Sequence, residues 1–193
     1  MKSLYKTLPL LFILFFSLPA VALEYYWVGG SGMWSDHNNH WAKTSGGAVF
    51  HDQVPTSMDN VHFDANSFPV PGGTVTIDQT IIYCMDMDWT GATGTPVLTG
   101  PGDKMVFIYG SMTLIADMQW DVQGQVHFLA FQLGKEITLA GHSIISEVYF
   151  EGLGGEWILQ DEFRALQNVV HFNGVLRSND QTLRVRGHWN PSW

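Results

Sequence analysis

Val148-Tyr149-Phe150-Glu151-Gly152 is the stretch whose reading decides the fold, because the chain keeps returning to it. Val126-His127-Phe128-Leu129-Ala130 lies 22 residues before it, and Val170-His171-Phe172-Asn173-Gly174 lies 22 after it. Each copy places two large apolar residues around one polar or aromatic position, then a variable residue, then Gly or Ala. The same template fits Val106-Phe107-Ile108-Tyr109-Gly110, Met87-Asp88-Trp89-Thr90-Gly91 and Val61-His62-Phe63-Asp64-Ala65. A repeat of about this length marks a solenoid, in which each unit buries its apolar face only against its neighbours.

Around these copies the chain breaks into runs of three to five residues separated by Gly, Asn, Asp and Pro, which end strands and form turns. One repeat holds three such runs: Met112 to Leu114, Met118 to Val122 and Val126 to Phe128. The next two repeats run from Ile137-Thr138-Leu139 to Phe150 and from Trp157-Ile158-Leu159 to Phe172, and Leu183-Arg184-Val185 opens another. Alternation along each run puts one face inward and one outward. Three short strands per turn predict an all-β chain, a right-handed parallel β-helix of about 22 residues per coil. Its predicted inward pairs are Val61/Phe63, Met87/Trp89, Val106/Ile108, Val126/Phe128, Val148/Phe150 and Val170/Phe172, in one column. A sandwich of antiparallel hairpins is disfavoured by the solenoid period and the scarcity of Asn-Gly and Asp-Gly turns.

Composition agrees with a strand-rich globular chain. Apolar residues make up 46% and charged ones only 14%, with Gly 20, Phe 12 and Trp 8, which argues against disorder. Residues 1–22 read as a signal peptide: Lys2 and Lys6 precede an apolar run from Leu8 to Leu18, and Ala20-Val21-Ala22 offers a small-x-small site cut after Ala22. The run falls short of the roughly 20 residues that span a bilayer, and no later stretch is apolar enough to do so. Loss of the two lysines leaves 7 basic against 18 acidic residues, a formal charge of −11. That balance repels nucleic acid and anionic membranes and suits a secreted, cell-surface protein or one that binds cations. Cys84 is the sole cysteine, so the chain has no internal disulfide and Cys84 reads as a buried apolar residue.

Residues 23–60 read as a capping segment. Trp27, Trp34 and Trp41 recur among Gly29, Gly30, Gly32, Gly46 and Gly47, too many glycines for a helix. Their rings are expected to cover the open end of a solenoid occupying residues 61–193.

The opening of this segment, Trp27-Val28-Gly29-Gly30-Ser31-Gly32-Met33-Trp34-Ser35-Asp36, with His40-Trp41, Ser45-Gly46-Gly47 and Pro55-Thr56-Ser57-Met58-Asp59-Asn60-Val61-His62-Phe63-Asp64, resembles an N-terminal module of large secreted or surface proteins of the Bacteroidota. Such proteins often end in a gliding-motility or type IX secretion sorting domain, and a β-helix often follows the module. The resemblance spans nearly all of the chain after the cleavage site and carries no general activity. It implies that a chain stopping at Trp193 without a sorting domain is a fragment or a truncated reading frame.

Chemistry has to be sought at the outward positions, predicted as His62, Asp88, Phe107, His127, Tyr149 and His171. His127, Tyr149 and His171 are expected to stack as an exposed ladder that, with Glu151, forms the candidate contact surface for an extracellular glycan or cell-surface component. Plain stacking on an outer sheet face accounts for the same residues. His37, His40, His51 and Asp52 have a hint of metal-ligand spacing but lack a full ligand set; Asp86 and Asp88 alone do not make a calcium site. No Ser-His-Asp arrangement, phosphate loop or zinc signature occurs, and no cofactor is indicated. The expectation is a non-catalytic structural or adhesive β-helix. Its rival is the N-terminal part of a carbohydrate-active β-helix enzyme, a lyase or hydrolase, or a glycan-binding module.

Overall fold

The computed structural model describes residues 22–191, so the expected signal peptide lies outside the described residues apart from Ala22. The chain is a parallel β-helix of about six turns with equivalent positions about 22 residues apart. Successive coils visit three faces in the same order, although the coil starting at Gln125 touches the third only through an isolated bridge at Ile144. The coil beginning at Met105 supplies Met105–Ile108, Met112–Thr113 and Gln119–Val122, and the next begins with Gln125–Phe128. Short apolar-polar-apolar runs form these strands because each must bury one side, and Gly, Asn or Asp turns end most of them after two to four residues.

The first sheet stacks Glu24–Trp27, Asn60–His62, Met87–Asp88, Met112–Thr113 and Lys135–Thr138 in parallel. The second stacks Ile82, Val106, Val126, Val148, Val169 and Trp189 in register. The third stacks Gly32–Met33, Thr74–Thr76, Val97–Gly100 and Gln119–Val122, and resumes with Phe163–Ala165 against Leu183–Val185. The first two sheets join because Val148–Leu159 runs as one strand through the corner between them, with register shifts after Phe150 and Glu151. At that corner a Cβ on Gly152 would sit 1.9 Å from the Ala130 carbonyl oxygen, so only glycine lets successive corners stack.

The core is the lumen of the coil. Phe63 stacks on Trp89 at 3.8 Å and Phe128 on Phe150 at 5.0 Å, with Trp157 edge-on to Phe150 at 5.1 Å. Cys84 is buried there, and burial, reinforced by Asp86, pushes its thiol pKa up. The N-terminal segment supplies the first coil and its lid together: Glu24–Trp27 pairs parallel with Asn60–His62 and antiparallel with Trp41–Ala42. Trp27, Trp34 and Trp41 are all 0% exposed. The Trp41 ring lies edge-on to Trp27 at 5.0 Å and to Trp34 at 4.8 Å, and its Nε1–H donates to the Trp34 carbonyl. Among the described residues no helix is long and apolar enough to cross a membrane.

Two details of the predicted column are corrected. The template does not run along a single face: Val61/Phe63 and Met87/Trp89 belong to the first sheet, while Val106/Ile108, Val126/Phe128 and Val148/Phe150 belong to the second. The last pair is out of phase by one residue. Val169 pairs with Val148 and is buried, Val170 is only half-buried, and Phe172 is 43% exposed.

Candidate functional site

The outer face of the second sheet collects the chemistry. Parallel in-register pairing places Tyr83 beside Phe107, Phe107 beside His127, and His127 beside Tyr149. Because the strands lie about 4.8 Å apart, rings on neighbouring rungs must touch. Tyr83 and Phe107 meet edge-on at 5.7 Å, Phe107 and His127 tilt together at 4.4 Å, and His127 lies flat on Tyr149 at 4.5 Å and 6°. Phe172 extends the row, parallel to Tyr149 at 6.4 Å. The result is a stripe of five aromatic rings running along the solenoid axis.

A polar lattice runs beside the stripe. Gln125 and Glu147 occupy adjacent rungs two residues before His127 and Tyr149, so all four side chains share a face. The Tyr149 hydroxyl donates to Glu147 Oε2 at 2.8 Å, and Asn168 Nδ2 donates to Glu147 Oε1 at 3.1 Å. Gln125 Nε2 reaches both Glu147 Oε2 and the Tyr149 oxygen, at 3.5 and 3.4 Å. His127 Nδ1 donates to Glu151 Oε2 at 2.9 Å, and its Nε2 lies 3.3 Å from Gln125 Oε1.

These contacts fix protonation. The Tyr149 hydroxyl, then the Asn168 amide, hold the Glu147 carboxyl below the usual range. Burial, then the Glu147 carboxylate, pushes the Tyr149 phenol up to about 12. Tyr109 is raised as well, by burial and by nearby Tyr83 and Glu151. The face therefore presents neutral phenols and an ionised Glu147 at neutral pH.

Of the sequence-predicted contact residues, the structure brings together His127, Tyr149 and Glu151. His127 points outward as expected, yet it is only 8% exposed, roofed by its two neighbouring rings. His171 is not on the ladder. It pairs with Phe150, so it faces the lumen side, edge-on to Phe150 at 5.8 Å and to Trp189 at 5.9 Å. Its Nε2 lies 3.1 Å from the Gly174 carbonyl oxygen. Gln125, Glu147, Asn168 and Tyr83 were missed. Glu147 was legible, since it shares the parity of Tyr149; Tyr83 was hidden because its strand ends in Cys84 and fits no template copy.

His62 and Asp88 project from the first sheet instead, with Glu24 beside them. His62 Nε2 is 2.5 Å from Glu24 Oε2, and its Nδ1 is 3.9 Å from Asp88 Oδ2. Asp88, followed by Glu24, holds the imidazole pKa above its ordinary value, while Asp88 is lowered to about 2 by His62 and the Thr90 hydrogen bonds. Tyr26 stacks on the same imidazole at 4.8 Å. This group clasps three successive strands of the first sheet.

The N-terminal histidines are spent separately. His37 Nδ1 lies 3.3 Å from the Ser35 carbonyl oxygen. His40 stacks on Trp27 at 4.5 Å, with Nδ1 donating to the Val28 carbonyl at 2.7 Å. His51 stacks on Tyr25 at 3.6 Å. Among the described residues no group of three or more His, Cys, Asp or Glu is placed to hold a metal ion.

No protein-family model matches the chain, and neither a curated protein nor a solved structure matches it.

Proposed function

We propose that the chain is an exported cell-surface β-helix that works by contact and not by catalysis, presenting the outer face of its second sheet to an extracellular glycan. The aromatic stripe from Tyr83 to Phe172 carries this reading. His127, Tyr149 and Phe172 lie parallel one behind another along the axis and turn their edges outward, so the row offers a narrow apolar ridge against which a sugar chain can bury area, and amide and carboxylate groups alongside offer hydrogen bonds to hydroxyls. The carboxylates are engaged in holding their neighbours: Glu147 accepts from Tyr149 and Asn168, and Glu151 from His127. That use favours a fixed contact surface over a proton-transfer site. The acidic charge and the resemblance of the opening motif to secreted Bacteroidota modules support export to the surface.

The test is affinity electrophoresis of the full chain, expressed for export, through gels containing individual polysaccharides. At least one glycan is expected to retard it. Phe107→Ala combined with Tyr149→Ala is expected to abolish the retardation while leaving a cooperative thermal transition. Retardation unchanged in that double variant would sink the assignment. Release of new reducing ends or unsaturated products by the parent chain, lost in Glu151→Gln, would establish the enzymatic alternative.

A further inference from the structure

We propose that a cut between Ala22 and Leu23 completes the first coil, because the amine it frees on Leu23 becomes an ammonium ion that pairs with the buried carboxylate of Asp59. The inference rests on the export part of the reading above, not on the glycan contact, and concerns a different part of the molecule.

Asp59 is a buried acid without a cation. It is 5% exposed, and it takes part in none of the ion pairs among the described residues. Its Oδ2 accepts from the Thr56 N–H at 2.9 Å and from the Thr56 hydroxyl at 2.6 Å. Its Oδ1 accepts from the Leu23 N–H at 3.2 Å. The fold holds this carboxylate in place independently of Leu23. The Asp59 N–H donates to the Thr56 carbonyl at 3.1 Å, and the Asp59 carbonyl accepts from the Met85 N–H of the next coil at 2.7 Å. Tyr25 faces it: burial, and then the Asp59 carboxylate, holds the Tyr25 phenol above its ordinary pKa. A buried carboxylate calls for a cationic partner. The nitrogen on Oδ1 belongs to the residue that follows the small-x-small sequence Ala20-Val21-Ala22, where a leader is expected to be cut.

Hydrolysis by a leader-removing peptidase puts the oxygen of water on the Ala22 carbonyl carbon and breaks its bond to the Leu23 nitrogen. An ionised carboxylate departs with residues 1–22, and the proton goes to the freed amine. The contact at 3.2 Å then changes from a neutral hydrogen bond to a charge-assisted one. No strand has to move, since the Leu23 carbonyl already accepts from the Asn60 N–H at 2.9 Å. Desolvation adds little: the carboxylate is buried in either form, and Leu23 is 48% exposed, which leaves the other ammonium hydrogens to water. The position of the cut matters. A cut after Ala20 leaves Val21 and Ala22 in front of Leu23 and carries the ammonium up to about 7 Å farther along the chain.

The full chain is first expressed for export and its product weighed by mass spectrometry. The first residue is expected to be Leu23. Retention of residues 1–22, or a start at any other residue, overturns the proposal and leaves the glycan contact to its own test. Two chains with free amines, one beginning at Leu23 and one at Val21, are then melted from about pH 6.5 to about pH 10.5, a range that brackets the α-amine. At the acid end the Leu23 chain is expected to melt about 2–4 °C higher. An unpaired α-amine has a pKa of about 7.7–8.0, and pairing with a carboxylate raises it. The advantage is therefore complete below about pH 7.7 and is lost as pH climbs through the raised folded value. Tyr25, Lys43, His51 and Asp52 line the hollow beside Leu23, and Asp86 and Lys135 line the one beside Ala22. Glu24 is turned to Asn60 and His62. All are common to both chains, so their titration cancels in the difference. Asp59→Asn is expected to lower both melting temperatures and bring them to within about 1 °C of each other. An advantage absent at the acid end, unchanged at the alkaline end, or surviving in Asp59→Asn overturns the pairing. The first two outcomes are read on the parent chains alone, so they decide even where Asp59→Asn does not fold.

Discussion

At the scale of single residues, neighbours in sequence have opposite duties. Phe128 packs in the lumen against Phe150 and Trp157, whereas His127 lies outside between Phe107 and Tyr149. Phe128→Ala is expected to cost about 3–5 kcal/mol as a core truncation. From sequence, His127→Ala is a surface change, worth no more than about 0.5 kcal/mol. Its two ring contacts and its bond to Glu151 raise that expectation to about 1–2 kcal/mol. Urea unfolding of the two variants measures both, and equal costs would contradict the inward and outward assignment. His62 gives a second test, through pH. Its folded pKa is raised above the unfolded value of about 6.5, so its stabilising contribution is complete below that value and is lost as pH climbs through the folded pKa. Asp88 works the other way: its lowered pKa contributes fully above about pH 4 and is lost as pH falls towards about 2. The melting-temperature gap between the parent chain and His62→Gln is therefore expected to be widest between about pH 4 and 6.5 and to close as pH rises through the raised folded pKa. A gap that is flat or widens with alkalinity would refute the clasp.

At the scale of strands, register is what decides the fate of a side chain. In Val169–Arg177 the lumen-facing valine is Val169 and not Val170, with bulges after Phe150 and Glu151 where the corner adjusts. Val169→Asp is expected to cost several kcal/mol, since it buries an unpaired charge. Val170→Asp should stay within about 1 kcal/mol; thermal unfolding of the pair tests the register directly. Much of this level was legible. The strands at Met112, Gln119, Gln125, Ile137 and Leu183 could be read from alternation and turn residues. Phase was harder at 169 to 172, because two adjacent valines fit either register and His171 imitates His127. Which face a template copy occupies was also hidden: an inward pair followed by a glycine corner looks the same on the first sheet as on the second. The aromatic stripe was visible only in part, as side-by-side placement depends on coil lengths that vary from 20 to 24 residues between Ile82 and Trp189.

At the scale of the whole molecule the two ends differ. The amino-terminal end is closed by buried Trp27, Trp34 and Trp41 and by the antiparallel strand Trp41–Ala42. At the other end, Leu183–Val185 and Trp189–Pro191 each pair on one side only among the described residues. Leu176, Val185 and Trp189 are there only partly covered, although they pack against the core. Open strand edges over an apolar lumen invite pairing. Sedimentation velocity is expected to show concentration-dependent self-association that Val185→Lys suppresses without loss of the folded transition; a strictly monomeric parent chain would refute this.

In-register stacking of Val126 on Val148 has one further consequence. Excising residues 126–147 would join Gln125 directly to Val148, with lumen and outer face still in step and Tyr149 moved up beside Phe107. Evolution can thus lengthen or shorten such a rod by whole coils, in increments of about 4.8 Å, as one changes the reach of a ladder by adding or removing rungs.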